Sequence, residues 1–243
     1  MNGATPTARR TRSWLRVCLL AGAACVVLYV AYEIATFPDV GKLARENPRT
    51  TAWMELRDSE ARQKGRKPRR FQVWVPLPQI SPNLKNAVLI AEDAAFFQHE
   101  GLDYGEIREA IKINYEKLDF ARGASTITQQ LAKNLYLNPS KNPARKLEEL
   151  VLTFSLERHL AKRRIFEIYL NVIEWGDGVY GAEAAARSYY GKSCGGLSEE
   201  EAAALAAVII NPRRYSPTDP NRRIRNRIAM IRTRMEKYRY YKN

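Results

Sequence analysis

The amino-acid sequence predicts a mainly α-helical chain: one globular domain preceded by a single N-terminal transmembrane helix. Three observations carry this reading. Apolar residues recur at helical spacing behind recognisable cap residues through most of the chain. Strand-like alternation is nearly absent and is confined to Phe71-Gln72-Val73-Trp74-Val75, before Pro76 and Pro78. The run Val17 to Tyr32 contains no charged residue.

With its mostly apolar flanks out to Leu15 and Phe37, that run approaches the length of about 20 residues needed to cross a hydrocarbon core. Arg16 and Glu33 lie near its ends, and Trp14, Tyr29 and Tyr32 suit an aromatic belt. Arg9, Arg10, Arg12 and Arg16 precede it, which predicts a cytoplasmic N-terminus and an exported bulk. A cleaved signal peptide is disfavoured, because the small residues Ala21 to Ala24 fall early in the run and cleavage there would leave a strongly hydrophobic terminus. The expected organisation is a basic tail over 1–14, the anchor over 15–37, a connector over 38–70 and the domain over 71–243. The connector ends in Arg66-Lys67-Pro68-Arg69-Arg70, suited to anionic head groups.

In the domain, Leu84, Val88, Ala91 and Ala95 keep helical spacing, with Ser81 as N-cap and Pro82 at the first helical position. Asp103 with Glu106 marks the next start, followed by Ile107, Ala110, Ile111 and Leu118. Gly123 breaks that pattern, and Ser125 or Thr126 caps the next helix. Asn142-Pro143 opens a longer helix with Leu147, Leu150, Val151 and Phe154 as its inner face. Ile165, Ile168, Tyr169 and Val172 continue the period. Ser198 with Glu201 is a capping box before an alanine-rich buried helix. Asp219-Pro220 starts a final helix, in which Ile224, Ile228, Ile231 and Met235 form a stripe among arginines.

Lys and Arg number 40 against 26 Asp and Glu, a net charge of +14, which favours an anionic partner. Export excludes nucleic acid and leaves a phospholipid surface or a phosphorylated substrate. Cys194 stands alone outside the span, so no intramolecular disulfide forms there, and with only His99 and His159 a zinc site built on several histidines is not expected.

The chemistry-bearing segments lie at helix ends and turns. Glu92 and Asp93 follow a core-facing residue, where partial burial would raise the Glu92 pKa toward that of a general base; the plain alternative is a solvated acidic pair. Gly123 to Asn134 gathers hydroxyls, amides and a lysine at a helix start, a setting for an oxyanion. A capped surface helix would explain Ser125, but not Gln129, Gln130, Lys133 and Asn134 in a turn and a half. Arg145 and Lys146 precede Glu148 and Glu149 at separations that intrahelical pairs such as Arg145 with Glu149 would explain. Glu167 sits beside the apolar face of its helix, and Gly178-Val179-Tyr180-Gly181 is a turn. Two carboxylates, Glu92 and Glu167, with cations between them, are equipment for chemistry at an anomeric carbon with a phosphate ester or pyrophosphate leaving group.

From Val73 to about Pro217 the chain resembles the peptidoglycan glycosyltransferases, glycosyltransferase family 51. The resemblance rests on Glu-Asp-x-x-Phe-x-x-His-x-Gly at Glu92 to Gly101 and Gly-x-Ser-Thr-x-x-Gln-Gln-x-x-Lys-Asn at Gly123 to Asn134. It continues with Arg-Lys-x-x-Glu at Arg145 to Glu149, Glu-x-Tyr-Leu-Asn at Glu167 to Asn171, and Tyr180-Gly181. With one span and no room for a transpeptidase domain, the chain is similar to the monofunctional biosynthetic form.

The resemblance implies a lysozyme-like helical domain that polymerises lipid II at the outer face of the cytoplasmic (inner) membrane. It implies Glu92 as general base for the 4-hydroxyl of the acceptor sugar, and inversion to a β-1,4 link with release of undecaprenyl pyrophosphate. Lys133 and the basic residues after it would hold the pyrophosphate, and Glu167 would assist its departure, directly or through a divalent cation, magnesium or manganese. Ser125, Thr126, Gln129, Gln130, Asn134, Arg145 and Asn171 would line or brace the cleft. Asp93, Phe96, His99, Lys146, Glu149, Tyr180 and Gly181 would support its geometry. Many relatives carry an arginine where this chain has Lys141, and lysine lacks the bidentate fork. The implied partners are lipid II, the growing strand, membrane lipids and proteins of cell division or wall synthesis. The rival readings are a membrane-anchored lysozyme-like enzyme or lytic transglycosylase that cleaves peptidoglycan, and a non-enzymatic basic membrane scaffold.

Overall fold

The computed structural model describes residues 17, 19–25, 27, 28, 31, 32, 35–117, 125–138, 144–238 and 241. It divides into two units, Met1–Asp39 and Val40–Asn243. In the first unit the described residues up to Thr36 are helical, and no helix among the described residues is long and apolar enough to cross a membrane. The expected tail, including Arg9, Arg10, Arg12 and Arg16, lies outside the described residues, as do Trp14, Leu15, Cys18, Tyr29 and Glu33.

The second unit begins earlier than the expected boundary at Phe71. A 3-10 turn at Val40–Ala44 and helix α1, Ala52–Gln63, occupy the segment read as a connector. Val40, Leu43 and Met54 belong to the buried core. Charge density misled the reading here: Arg57 of this segment pairs with the buried Glu174 of the domain at 3.1 Å. Thr51 caps α1 by accepting the Met54 N–H at 3.1 Å.

Strand β1, Phe71–Gln72, is shorter than the alternating run. It pairs in parallel with β3, Val179–Tyr180, which pairs antiparallel with β2, Glu174–Gly176. Beyond Gln72 the backbone of Val75 is held by the Asn171 side chain, at 2.9 Å from both its N–H and its carbonyl.

Helix α2, Pro82–Glu92, has the expected Ser81 cap, with Leu84 N–H on Ser81 Oγ at 3.1 Å. It stops at Glu92, so Ala95 lies beyond it, before the 3-10 turn Phe96–Gln98. Helix α3, Tyr104–Lys117, starts behind Asp103 as expected, burying Ala110 but exposing Ile111; Leu118 and Gly123 are not among the described residues. Helix α4, Ile127–Tyr136, is capped by Thr126 in a box with Gln129.

Helix α5, Ala144–His159, corrects the predicted inner face. Leu147, Val151 and Phe154 are exposed, while Glu149, Leu152, Thr153 and Leu156 are buried. The inward polar residues are satisfied locally: Thr153 Oγ1 donates to the Glu149 carbonyl at 2.6 Å, and Lys146 pairs with the Glu149 carboxylate. Burial of polar groups with partners in place costs little. Asn142-Pro143, the expected start, lies outside the described residues.

Helix α6, Lys162–Val172, buries Ile165, Ile168, Tyr169 and Val172 as its period requires. Helices α7, Ala182–Tyr190, and α8, Glu199–Val208, follow, the latter with the expected Ser198–Glu201 box and an alanine face that lets α2 and α9 approach closely. Helix α9, Arg222–Lys237, begins behind Asn221 rather than at Asp219-Pro220. Asn221 Oδ1 accepts the Ile224 N–H at 3.1 Å, an N-cap that the preceding proline cannot supply. Ile224, Ile231 and Met235 are buried and Ile228 is half-buried.

Candidate active site

The site forms where the C-terminal end of α2 meets the start of α4. Asp93, buried at the α2 terminus, accepts the Ile127 N–H at 3.0 Å and faces His99 Nε2 at 3.0 Å. A carboxylate at a helix N-terminus is stabilised by free N–H groups and the macrodipole. Asp93 thus joins the first polar segment to the second. Thr126 Oγ1 donates to the Gly101 carbonyl at 2.7 Å and closes the joint. Gly101 needs its φ of +90°, and a Cβ there would come within 2.8 Å of Thr153. Phe96 is fully buried, packed edge-on to Phe97 at 4.9 Å and tilted against Phe166 at 5.7 Å.

Fixed by this joint, α4 aims Gln130 at Glu92. Gln130 Nε2 donates to Glu92 Oε2 at 2.9 Å, and its Oε1 accepts from the buried Tyr169 hydroxyl at 2.8 Å. From α9, Arg227 Nη2 donates to Glu92 Oε1 at 2.9 Å and to the Ala91 carbonyl at 3.2 Å. Burial pushes the Glu92 carboxyl above the usual carboxylate range, opposed by Gln130, Arg227 and Lys133.

One turn further along α4, Lys133 lies within electrostatic reach of Glu149, Arg145, Lys146 and Glu92. Burial pulls its pKa down; Glu149 and Glu92 hold it up, while the two cations add to the fall. A cleft of about 340 Å³ opens beside it, lined by Gln130, Lys133, Asn134, Tyr169, Trp53, Arg57 and Glu174 among others. Glu174 is buried and accepts from Arg57 Nε at 3.1 Å and Trp53 Nε1 at 3.3 Å.

A transglycosylase family model matches residues 59–236. The chain belongs to the transglycosylase family. Among its relatives, the biosynthetic peptidoglycan transglycosylase of Dechloromonas aromatica is 44% identical over 222 residues, 91% of this chain and 95% of the relative. Those of Methylobacillus flagellatus and Bordetella avium, of the same name, are 46% and 42% identical over 86% and 94% of this chain, and 92% and 97% of theirs.

Of the expected site residues, Gln130, Lys133 and Asn134 line the cleft, Glu92 is bound to Gln130, and Arg145, Lys146 and Glu149 lie within electrostatic reach of Lys133. Asp93, Phe96, His99, Thr126 and Gln129 form its frame. Asn171 is wholly buried and braces Val75. Tyr180 is wholly buried in β3, and Gly181, φ +83°, packs against the Asn171 carbonyl, which a Cβ would approach to 2.6 Å. Ser125 is exposed at the edge, and Lys141 lies outside the described residues.

Glu167 stands apart. Its carboxylate accepts the Leu77 N–H at 2.9 Å and pairs with Arg164 at 2.5 Å; Arg164 in turn donates to the carbonyls of Leu43 and Glu46. Glu167 and Tyr169 are two residues apart, roughly 200° around a helix. With Tyr169 turned to Gln130, Glu167 faces the other way, and Glu149 is the second carboxylate beside Lys133. The expected Arg145–Glu149 pair is replaced by Lys146–Glu149, and Arg145 Nε is buried without a partner among the described residues.

The residues around Lys133 supply amines and a guanidinium alongside the carboxylates of Glu92 and Glu149. Asp93, His99 and Asp103 are close enough to hold an ion, but Asp93 and His99 bind each other and Asp103 caps α3. Sequence reasoning missed Arg227, Trp53, Arg57 and Glu174. Arg227 was hidden among the arginines of α9; the other three were set aside with the supposed connector or the turn.

Proposed function

We propose that this transglycosylase polymerises lipid II into peptidoglycan glycan strands by inverting β-1,4 glycosyl transfer. The observation that carries the reading is Glu92, half-buried and held between Gln130 and Arg227, next to the Lys133 cluster. Glu92 takes the proton of the acceptor's 4-hydroxyl as that oxygen attacks the anomeric carbon of the growing chain's terminal sugar. The bond to the pyrophosphate oxygen breaks, and undecaprenyl pyrophosphate departs with the bonding electrons. Lys133, Arg145 and Lys146 meet the charge that develops there, in a partly desolvated cleft where such charge stabilisation is strong. Glu149 opposes the loss of charge that desolvation favours at the half-buried Lys133. No step is routed through a metal ion.

The relatives' names speak of biosynthesis, which favours polymerisation over cleavage. A cationic cluster beside the base also suits a pyrophosphate leaving group better than a second sugar. The charge pattern of the N-terminus supports residues 15–37 as a membrane anchor that holds the domain at the outer face of the cytoplasmic membrane.

The test is incubation of the purified protein with labelled lipid II, followed by lysozyme digestion. The expected result is lysozyme-sensitive polymer that disappears with Glu92→Gln. Full activity in folded Glu92→Gln protein would remove Glu92 as base.

A further inference from the structure

On the other side of Arg57 from the cleft lies a cavity of about 170 Å³. It has room for roughly six waters at about 30 Å³ each, the scale of a small charged group rather than a sugar. Its three acids are all engaged. Asp58 is bound by Arg70 at 2.9 Å, Glu60 by Arg57 at 3.0 Å and Arg213 at 3.1 Å, and Asp177 by Arg213 at 3.2 Å. The remaining cations of the wall, Lys64, Arg66, Lys67 and Arg69, have no side-chain hydrogen bond or ion pair among the described residues.

A run of basic residues is ordinarily a solvated face, but this one is held at both ends. Gly65, φ +67°, turns the chain out of α1, with Gly65 N–H on the Arg62 carbonyl at 2.9 Å and Arg66 N–H on the Ala61 carbonyl at 2.8 Å. At the far end, Phe71 N–H donates to the Gly178 carbonyl at 2.8 Å, and β1 pairs with β3. Gly178 packs so closely that a Cβ would come within 2.6 Å of the Arg69 carbonyl. Tyr180 also lines the cavity, its ring wholly buried and its hydroxyl buried without a partner. Burial raises the pKa of that hydroxyl, so it stays a proton donor.

We propose that this cavity is a second oxyanion site, which takes a carboxylate of the peptide arm carried by the glycan strand. The proposal rests on the polymerising reading of the neighbouring cleft. Arg57 belongs to both walls, so a strand lying in the cleft brings its next peptide arm to the four free cations. Carboxylates recur along such a strand, and guanidinium groups bind them in two-point fashion.

The combined change Arg66→Gln, Lys67→Gln and Arg69→Gln alters only exposed side chains, and circular dichroism checks that the fold is kept. With lipid II in detergent, the expected result is a several-fold higher KM and shorter strands, with kcat for a single coupling retained. With lipid II whose peptide carboxylates are amidated, wild type and variant should coincide. The proposal is overturned by strands of unchanged length, or by a deficit that persists with amidated substrate. A deficit seen only on anionic vesicles and absent in detergent also overturns it, assigning the cavity to phospholipid phosphate. Absence of any polymer from folded wild-type protein sinks the polymerising reading instead, independently of this variant.

Discussion

At Glu92 burial and charge pull in opposite directions. Burial raises the pKa, which makes the carboxylate a stronger base; Arg227 and Gln130 lower it, which keeps enough of the group ionised to act. Rate should therefore fall as pH drops through a pKa above the ordinary glutamate value. Removing Arg227 takes away a lowering influence, so Arg227→Met should move the acid limb of the pH–rate profile to higher pH. A hydrogen bond to a charged group is worth about 1.5–3 kcal/mol. Below the wild-type pKa that corresponds to a loss of roughly ten- to a hundredfold, recovered as pH rises and largely absent in Arg227→Lys. An unshifted profile in Arg227→Met would show that the pair is structural only. Glu167 makes the contrast. Its carboxylate ties α6 to Leu77 and Arg164, so Glu167→Gln should lower the melting temperature while the folded protein keeps its kcat.

Among elements, what was legible in the sequence was local. Ser81, Asp103, Thr126 and Ser198 were each readable as caps because a cap needs only three or four neighbouring residues. The inner face of α5 was not readable from apolar spacing, since polar Glu149 and Thr153 point inward and find their partners within the helix itself. The facing of Glu167 and the choice of Arg227 among the α9 arginines depend on which neighbour each helix meets. The core carboxylate, amide and lysine of the site were legible; the residues that hold them from distant segments were not. Thr126 tests the local kind of claim. Thr126→Ala should cost about 1 kcal/mol in urea unfolding, and Thr126→Ser should recover most of it. Because α4 carries Gln130 and Lys133, the alanine variant should also polymerise more slowly at temperatures well below its melting point.

For the whole molecule, the decisive finding is that the compact unit takes in residues from Val40 onward, ahead of Phe71. Val40, Leu43 and Met54 are core residues, and Arg57 on α1 reaches Glu174 across the cleft. A chain beginning at Val40 should unfold in one cooperative thermal transition, whereas one beginning at Phe71 should show a broad transition at much lower temperature or none. Equal melting temperatures for the two would remove α1 from the folding unit. Outside that core, Tyr104, Ile111 and Tyr115 on α3, and Leu147, Val151 and Phe154 on α5, face water. Their consequence is felt at the bench. Stripped of its first 39 residues, the protein would still behave as a surfactant, collecting at air–water boundaries and coating plastic at high dilution. It would hold its titre only while micelles sheathe those rings and branched chains.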